Sequence, residues 1–90
     1  MGKLNGISLF ANVGIAEAYM EELDIEIKIA NEIDEDRARF YQDVYKDTHM
    51  VCGDITDDNV RNSLVKEAIE KKVDFLIATP PCQGMSEAGL

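Results

Sequence analysis

Four short apolar runs separated by three amphipathic stretches fill ninety residues, and this alternation limits the fold more than any other feature. Residues 7–10, Ile-Ser-Leu-Phe, read as a buried strand. A turn around Asn12 and Gly14 follows, and then a helix over 14–23. In that helix Ile15, Tyr19 and Leu23 recur at helical spacing, with Glu17, Glu21 and Glu22 largely opposite. Ile25, Ile27 and Ile29 alternate with Glu26 and Lys28, which is a strand pattern. Asp34 is a fair N-cap for a second helix that carries Ala38, Tyr41, Val44 and Tyr45 on one face. Residues 49–52 form a weaker strand, broken by Gly53-Asp54. Thr56 and Asp57 can cap a third helix, whose stripe is Val60, Leu64, Val65, Ala68 and Ile69. Lys71 and Lys72 near its end suit the helix dipole. Residues 73–78 make the last strand, which Pro80-Pro81 terminates because proline cannot continue a ladder.

The order β-α-β-α-β-α-β argues for an α/β domain on a parallel sheet. Right-handed crossovers then place the functional loops along the carboxyl edge of the strands. Ninety residues make one small domain, and 46% hydrophobic with 30% charged residues is globular composition. A doubly wound sheet normally continues beyond four strands, so residues 1–90 are expected to be a single truncated domain. The final stretch from Gly84 to Leu90 reads like the start of a loop.

Two cysteines thirty positions apart support neither a disulfide framework nor a Cys-x-x-Cys metal site. No metal is expected, and the composition fits a reducing, cytoplasmic setting. No apolar run approaches the roughly eighteen residues that span a membrane, so no membrane partner is expected. Acidic residues number 18 against 9 basic, a net charge of −9. Phosphate contacts need Lys and Arg, so these ninety residues alone are poorly equipped to hold nucleic acid. An acidic surface does suit a cationic or zwitterionic small ligand.

The candidate chemistry sits at the four strand ends. Glu32 follows Gly14 by eighteen positions. An acidic residue about twenty positions past a glycine turn can accept hydrogen bonds from both ribose hydroxyls, although a solvated loop residue would look the same in sequence. The first turn is not a dinucleotide fingerprint, because it has one glycine where three are needed. A nucleoside ligand without a pyrophosphate demands less of it. Asp54 is either an acceptor for an adenine amine or a turn residue in Asp54-Ile55-Thr56-Asp57-Asp58. Cys82 follows two prolines at a strand end, where ligands have access. No Lys, Arg or His lies between Val73 and Leu90 to lower its pKa, so activation must come from elsewhere. Cys52 reads as a small core residue of its strand, His49 as an isolated strand-end histidine, and the carboxylates of 32–36 as a solvated helix N-terminus.

Residues 74–86, Asp-Phe-Leu-Ile-Ala-Thr-Pro-Pro-Cys-Gln-Gly-Met-Ser, resemble the nucleophile motif of the DNA (cytosine-5) methyltransferases. Three further blocks follow that family in order. Residues 8–15, Ser-Leu-Phe-Ala-Asn-Val-Gly-Ile, resemble its first cofactor block, 31–34 (Asn-Glu-Ile-Asp) its second, and 53–56 (Gly-Asp-Ile-Thr) its third. The resemblance implies a Rossmann-like S-adenosylmethionine-dependent methyltransferase fold, a partial parallel sheet of order 3-2-1-4 with flanking helices. It implies that Phe10, Ala11, Asn12, Val13, Gly14, Ile15 and Pro81 lie against S-adenosylmethionine. Glu32 would bind the ribose, Ile33 would pack on adenine, and Asp54 and Ile55 would read the adenine. Cys82 would attack carbon 6 of a cytosine flipped from the duplex, with Gln83 and Ser86 in the loop that meets DNA.

Ser8 stands where the family usually has Asp, and Asn12 and Ile15 where it has Gly. Asn tolerates left-handed backbone, so Asn12 is a mild change, while Ile15 is bulky and expected to narrow the turn. Neither the Glu-Asn-Val nor the Arg-x-Arg block of the family occurs in these ninety residues. The expectation is a cytosine-5 methyltransferase segment, inactive as this chain alone, with DNA engaged through segments not present. The alternative is a non-catalytic remnant or one half of a pair with a complementing chain. A different Rossmann nucleotide-binding protein fits less well, given the single-glycine turn and the Pro-Pro-Cys-Gln loop.

Overall fold

The computed structural model describes residues 4–79. Its elements run β1 (Leu4–Leu9), α1 (Ile15–Glu22), β2 (Ile25–Glu32), α2 (Glu35–Val44), β3 (His49–Cys52), α3 (Asp58–Glu70) and β4 (Phe75–Ala78). The four strands form one parallel sheet in the order β3-β2-β1-β4. This is the expected 3-2-1-4 arrangement. Steps from β1 to β2 to β3 run one way across the sheet, and the step to β4 returns past both. Right-handed crossovers therefore put α1 and α2 on one face and α3 on the other.

Each face has its own core. Ile7, Ile29 and Leu64 form the α3 side, with Leu9, Val51, Ile55, Val60, Ala68 and Val73 around them. Ala11, Ala30 and Tyr41 form the other, with Tyr45 and Met50 against them. The β1–β2 register slips between Gly6 and Ile7, where Gly6 pairs with Ile27 but Ile7 with Ile29, leaving Lys28 as an extra residue. Such a slip exchanges the faces of the residues that follow. Ile25 and Ile27 accordingly lie beside Glu17 and Tyr45, whereas Ile29 packs on Leu64.

The helix caps follow the sequence. The Asp34 side chain accepts the Arg37 N–H, and that of Asp57 accepts the N–H groups of Asn59 and Val60. Asp57 is thus the cap of α3, with Thr56 just outside it.

Several burial expectations are corrected. Ile15, Tyr19 and Leu23 face solvent at 69%, 62% and 65% exposure, while Glu17 is buried at 4%. The rotation of α1 is set by its entry rather than by its stripe: Gly14 N–H bonds Ala11 O, and Tyr45 Oη–H bonds Gly14 O at 2.7 Å. Val44, Val65 and Ile69 are also exposed, so α2 and α3 bury narrower faces than their periodicity implies. Cys52 is exposed rather than part of the core, because β3 is an edge strand of the described sheet, and its thiol lies 3.9 Å from the Ile33 carbonyl oxygen. His49 has a partner after all. Its Nδ1 lies 2.7 Å from Glu67 Oε2, and Lys71 Nζ donates to the same oxygen at 2.8 Å, joining β3 to α3.

Candidate active site

The carboxyl ends of the four described strands lie along one edge of the sheet, because the strands are parallel. The loop after β1 is the most constrained part of it. Phe10, Asn12 and Gly14 all have left-handed backbone, with φ of 57°, 57° and 89°. Asn12 and Gly14 accept this readily; Phe10 does so at a cost of roughly 1 kcal/mol or more, which the surroundings must offset. A Cβ on Gly14 would stand 2.3 Å from Tyr45 Cε2, so the position excludes any side chain on steric grounds as well. Tyr45 is held in turn by Tyr41, their ring centroids 4.8 Å apart.

Hydrogen bonds fix this loop from several sides. Ala11 N–H donates to Asn31 O at 2.9 Å, and Asn12 N–H to Glu32 Oε1 at 2.8 Å. The second Glu32 oxygen, Oε2, accepts the Asp34 N–H at 2.9 Å. Glu32 is buried at 6% exposure, so the solvated-loop reading of its sequence position does not hold. Its carboxylate joins the loop after β1 to the loop after β2. Each oxygen spends one acceptor site on this, and a carboxylate has about four. Asn31, to which its sequence position gave no role of its own, donates from Nδ2 to Val51 O and Gly53 O and so fixes the end of β3.

The remaining candidates are spread along the same edge. Val13 is half-buried, and Ile15 opens α1 with its side chain outward. Ile33 stands beside Glu32 with 61% of its surface exposed, an apolar group in the open at the sheet edge. Asp54 behaves as a turn residue: its Oδ1 accepts both the N–H and the hydroxyl of Thr56, at 2.9 and 2.7 Å. These bonds hold its carboxyl below the usual range. Ile55 is half-buried against the α3-side core. Cys82, Pro81, Gln83 and Ser86 lie outside the described residues.

Beneath the loop lies a buried polar cluster that no sequence pattern announced. Both oxygens of Glu17 and the hydroxyl of Tyr41 are closed from solvent, and none forms a hydrogen bond of normal geometry. Burial raises the pKa of Glu17, against weaker opposing effects of the Tyr41 and Ser8 side chains. Burial, and then Glu17, push the Tyr41 hydroxyl up as well. The only clue in the sequence is Glu17 itself, on the side of α1 taken to be solvent-facing.

Likeness to known proteins bears on identity. Residues 4–90 match the family model of the C-5 cytosine-specific DNA methylases. The chain belongs to the C-5 cytosine-specific DNA methylase family. Among curated methyltransferases it is 48% identical over 93% of its length to Type II methyltransferase M1.HgaI of Avibacterium volantium, and 34% identical over 92% to Type II methyltransferase M.NgoPII of Neisseria gonorrhoeae. It spans about a quarter of the length of each, 24% and 23%. A crystal structure of a DNA modification methyltransferase encoded within an E. coli prophage superposes with a TM-score of 0.73 at 25% identity, covering 90% of this chain and 23% of that one. The stretches 8–15, 31–34 and 53–56, which resemble that family's cofactor blocks, lie on the left-handed turn after β1, on Glu32 and its neighbours, and on the Asp54 turn. Among the described residues, no helix is long and apolar enough to cross a membrane, and no group of three or more His, Cys, Asp or Glu side chains is placed to hold a metal ion.

Proposed function

We propose that residues 1–90 are one unit of a DNA cytosine-5 methyltransferase, the part that binds S-adenosylmethionine and carries the nucleophile Cys82. The observation that carries the reading is the Glu32 carboxylate, buried at the sheet edge and held by the N–H groups of Asn12 and Asp34. A carboxylate so oriented keeps acceptor capacity on both oxygens, which suits the two hydroxyls of a ribose. Ile33 offers an exposed apolar surface beside it for adenine, with Asp54 and Ile55 at the next strand end. Phe10, Ala11, Asn12, Val13, Gly14, Ile15 and Pro81 would form the rest of the cofactor's surroundings.

When bound, S-adenosylmethionine supplies an electrophilic methyl group on a sulfonium centre. The Cys82 thiolate would add to carbon 6 of a flipped cytosine, pushing the ring electrons to carbon 5. S-adenosylmethionine held there would supply the methyl group for carbon 5 and leave as S-adenosylhomocysteine, and loss of the carbon-5 proton to a base would let the ring expel the Cys82 thiolate. Gln83 and Ser86 would sit in the loop that meets DNA. With a net charge of −9, DNA contacts fall to polypeptide beyond these residues. A cytoplasmic location and a role beside a restriction enzyme belong to the same reading, the latter resting on the type II names of the relatives.

A second reading is favoured by an apolar groove of about 560 Å³ between α3 and the β1–β4 side of the sheet, where Leu76 is 59% exposed. It makes the chain one half of a complementing pair, binding cofactor or partner but not catalysing alone.

The deciding experiment is calorimetric titration of S-adenosylhomocysteine into the folded chain, with Glu32→Ala as control. Binding that Glu32→Ala weakens supports the cofactor reading; a folded chain that does not bind overturns it for these ninety residues. Transfer of labelled methyl to DNA by the chain alone would rule out the complementing-half reading.

A further inference from the structure

We infer that Asn31 is a positioning residue that sets the Asp54 turn against the Glu32 carboxylate. Its functional sense rests on the methyltransferase reading above; its physical basis is the hydrogen bonding of residues 31 and 32. Both stand at the carboxyl end of β2, with β1 on one side and β3 on the other. Each serves both neighbours, but in opposite ways. Asn31 holds the loop after β1 through its main chain, where its carbonyl accepts the Ala11 N–H at 2.9 Å. Its side chain turns to β3, where Nδ2 donates to Val51 O at 2.9 Å and to Gly53 O at 3.0 Å. Glu32 reverses the assignment. Its carboxylate accepts the Asn12 N–H, and its main-chain carbonyl accepts the Gly53 N–H at 3.0 Å.

Main-chain bonds do not depend on the side chain, so the two side chains divide the loops between them. Asn31 governs the turn that begins at Gly53. It is 3% exposed and both Nδ2 protons are in use, which makes it a fixed strut rather than a surface group. Among the described residues, the hydrogen bonds of Asp54 run only to Thr56 and Asp57. The turn's link to β2 therefore runs through residues 51 and 53, and Asn31 makes both side-chain bonds there. Glu32 and Asp54 are the carboxylates proposed for the ribose and for the adenine amine. One nucleoside meets both only if their separation is held, and Asn31 holds it.

The test uses the ninety-residue chain with Asn31→Ala and Asn31→Asp. Amide hydrogen exchange is read first, without ligand, as protection relative to the intrinsic rate at each pH. In Asn31→Ala, Gly53 is expected to lose about tenfold or more in protection relative to Ala11 and Asn12, since two hydrogen bonds to its segment are gone. Asn31→Asp keeps the side-chain size. Ionised it offers no donor and protonated it offers one, so Gly53 protection should return toward the parent's as pH falls. A loss shared equally by all three amides, or an Asn31→Asp pattern indifferent to pH, would overturn the strut. Calorimetry then compares S-adenosylhomocysteine with S-inosylhomocysteine, whose base has a carbonyl in place of the adenine amine. The parent is expected to prefer the adenine compound, Asn31→Ala to narrow that preference about fivefold, and Glu32→Gln to weaken both compounds alike. A parent that binds without the preference, or an Asn31→Ala protein that keeps it whole, would overturn the role in recognition. A parent that binds neither compound overturns the cofactor reading itself, and Gly53 exchange still decides the strut.

Discussion

The Glu32 carboxylate accepts the Asn12 N–H at 2.8 Å across twenty residues of sequence, so the second strand end sets the shape of the first loop. Removing that acceptor has two effects. Glu32→Ala leaves the Asn12 and Asp34 amides unpaired, and lowers unfolding free energy by roughly 1–3 kcal/mol. Under the proposed ribose role it is also expected to weaken S-adenosylhomocysteine by about tenfold or more, since hydrogen bonds to a charged group would be lost. Glu32→Gln keeps one acceptor oxygen and should fall between parent and Ala in both measurements. Urea unfolding and calorimetry check this, and unchanged affinity in Glu32→Ala would remove the ribose role.

Gly14 tests the packing beneath the same loop. Gly14→Ala places a methyl in left-handed backbone 2.3 Å from Tyr45 Cε2. Tyr45→Phe only deletes the hydroxyl that donates to Gly14 O, at about 1 kcal/mol. Gly14→Ala should therefore be the more destabilising of the two by chemical denaturation. In Tyr45→Ala, where the ring is gone, the extra cost of Gly14→Ala should shrink. Strictly additive losses would mean that the contact does not control the position.

Glu17 gives a pH signature. Burial raises its folded pKa above the ordinary 4.5, so the folded state holds its proton more tightly than the unfolded state. Stability from this group is full below 4.5 and is lost as pH rises through the folded value. Glu17→Gln should flatten that decline and leave the protein at least as stable as the parent at neutral pH. Urea midpoints measured from pH 4 upward decide it, and a Glu17→Gln protein with the parent's slope would refute the assignment.

Glu67 should act in the opposite sense. Burial raises its pKa, but bonds from Lys71 and His49 outweigh that and hold it below 4.5. Its contribution is present above 4.5 and disappears as pH falls through the folded value. Glu67→Gln should cost on the order of 0.5–1 kcal/mol at pH 7 and nothing at low pH. An equal loss at both pH values would show packing rather than charge at work.

Much of the fold could be read from residue patterns, because period and punctuation are local properties. Asp34 and Asp57 cap the helices as their sequence positions indicate, and the parallel sheet follows from alternation with helices, while its order was what the family resemblance implied. Burial was harder, because it depends on how each helix is turned by what precedes it. Gly14 and Tyr45, thirty-one positions apart, set the rotation of α1, and so Ile15 faces out and Glu17 in. The His49–Glu67 pair was hidden for a similar reason: it spans two elements that only the crossover brings together. Within the candidate site, Glu32 stood out by its spacing from Gly14. Asn31, Tyr41 and Thr79 did not, since each acts on backbone atoms or neighbours distant in sequence.

β1 lies inside the sheet, with β2 on one side and β4 on the other, and Gly6 pairs with both Ile27 and Phe75. Of the four described strands, β1 is made first and is the last to be fully flanked, because its second neighbour, β4, is the last of the four to be made. Closing so long a loop is slow, and during that interval β1 offers an open edge to other chains. The same pairing brings the Thr79 hydroxyl to Phe10 O, so the loop after β1 gains its bond from the β4 side only at that step.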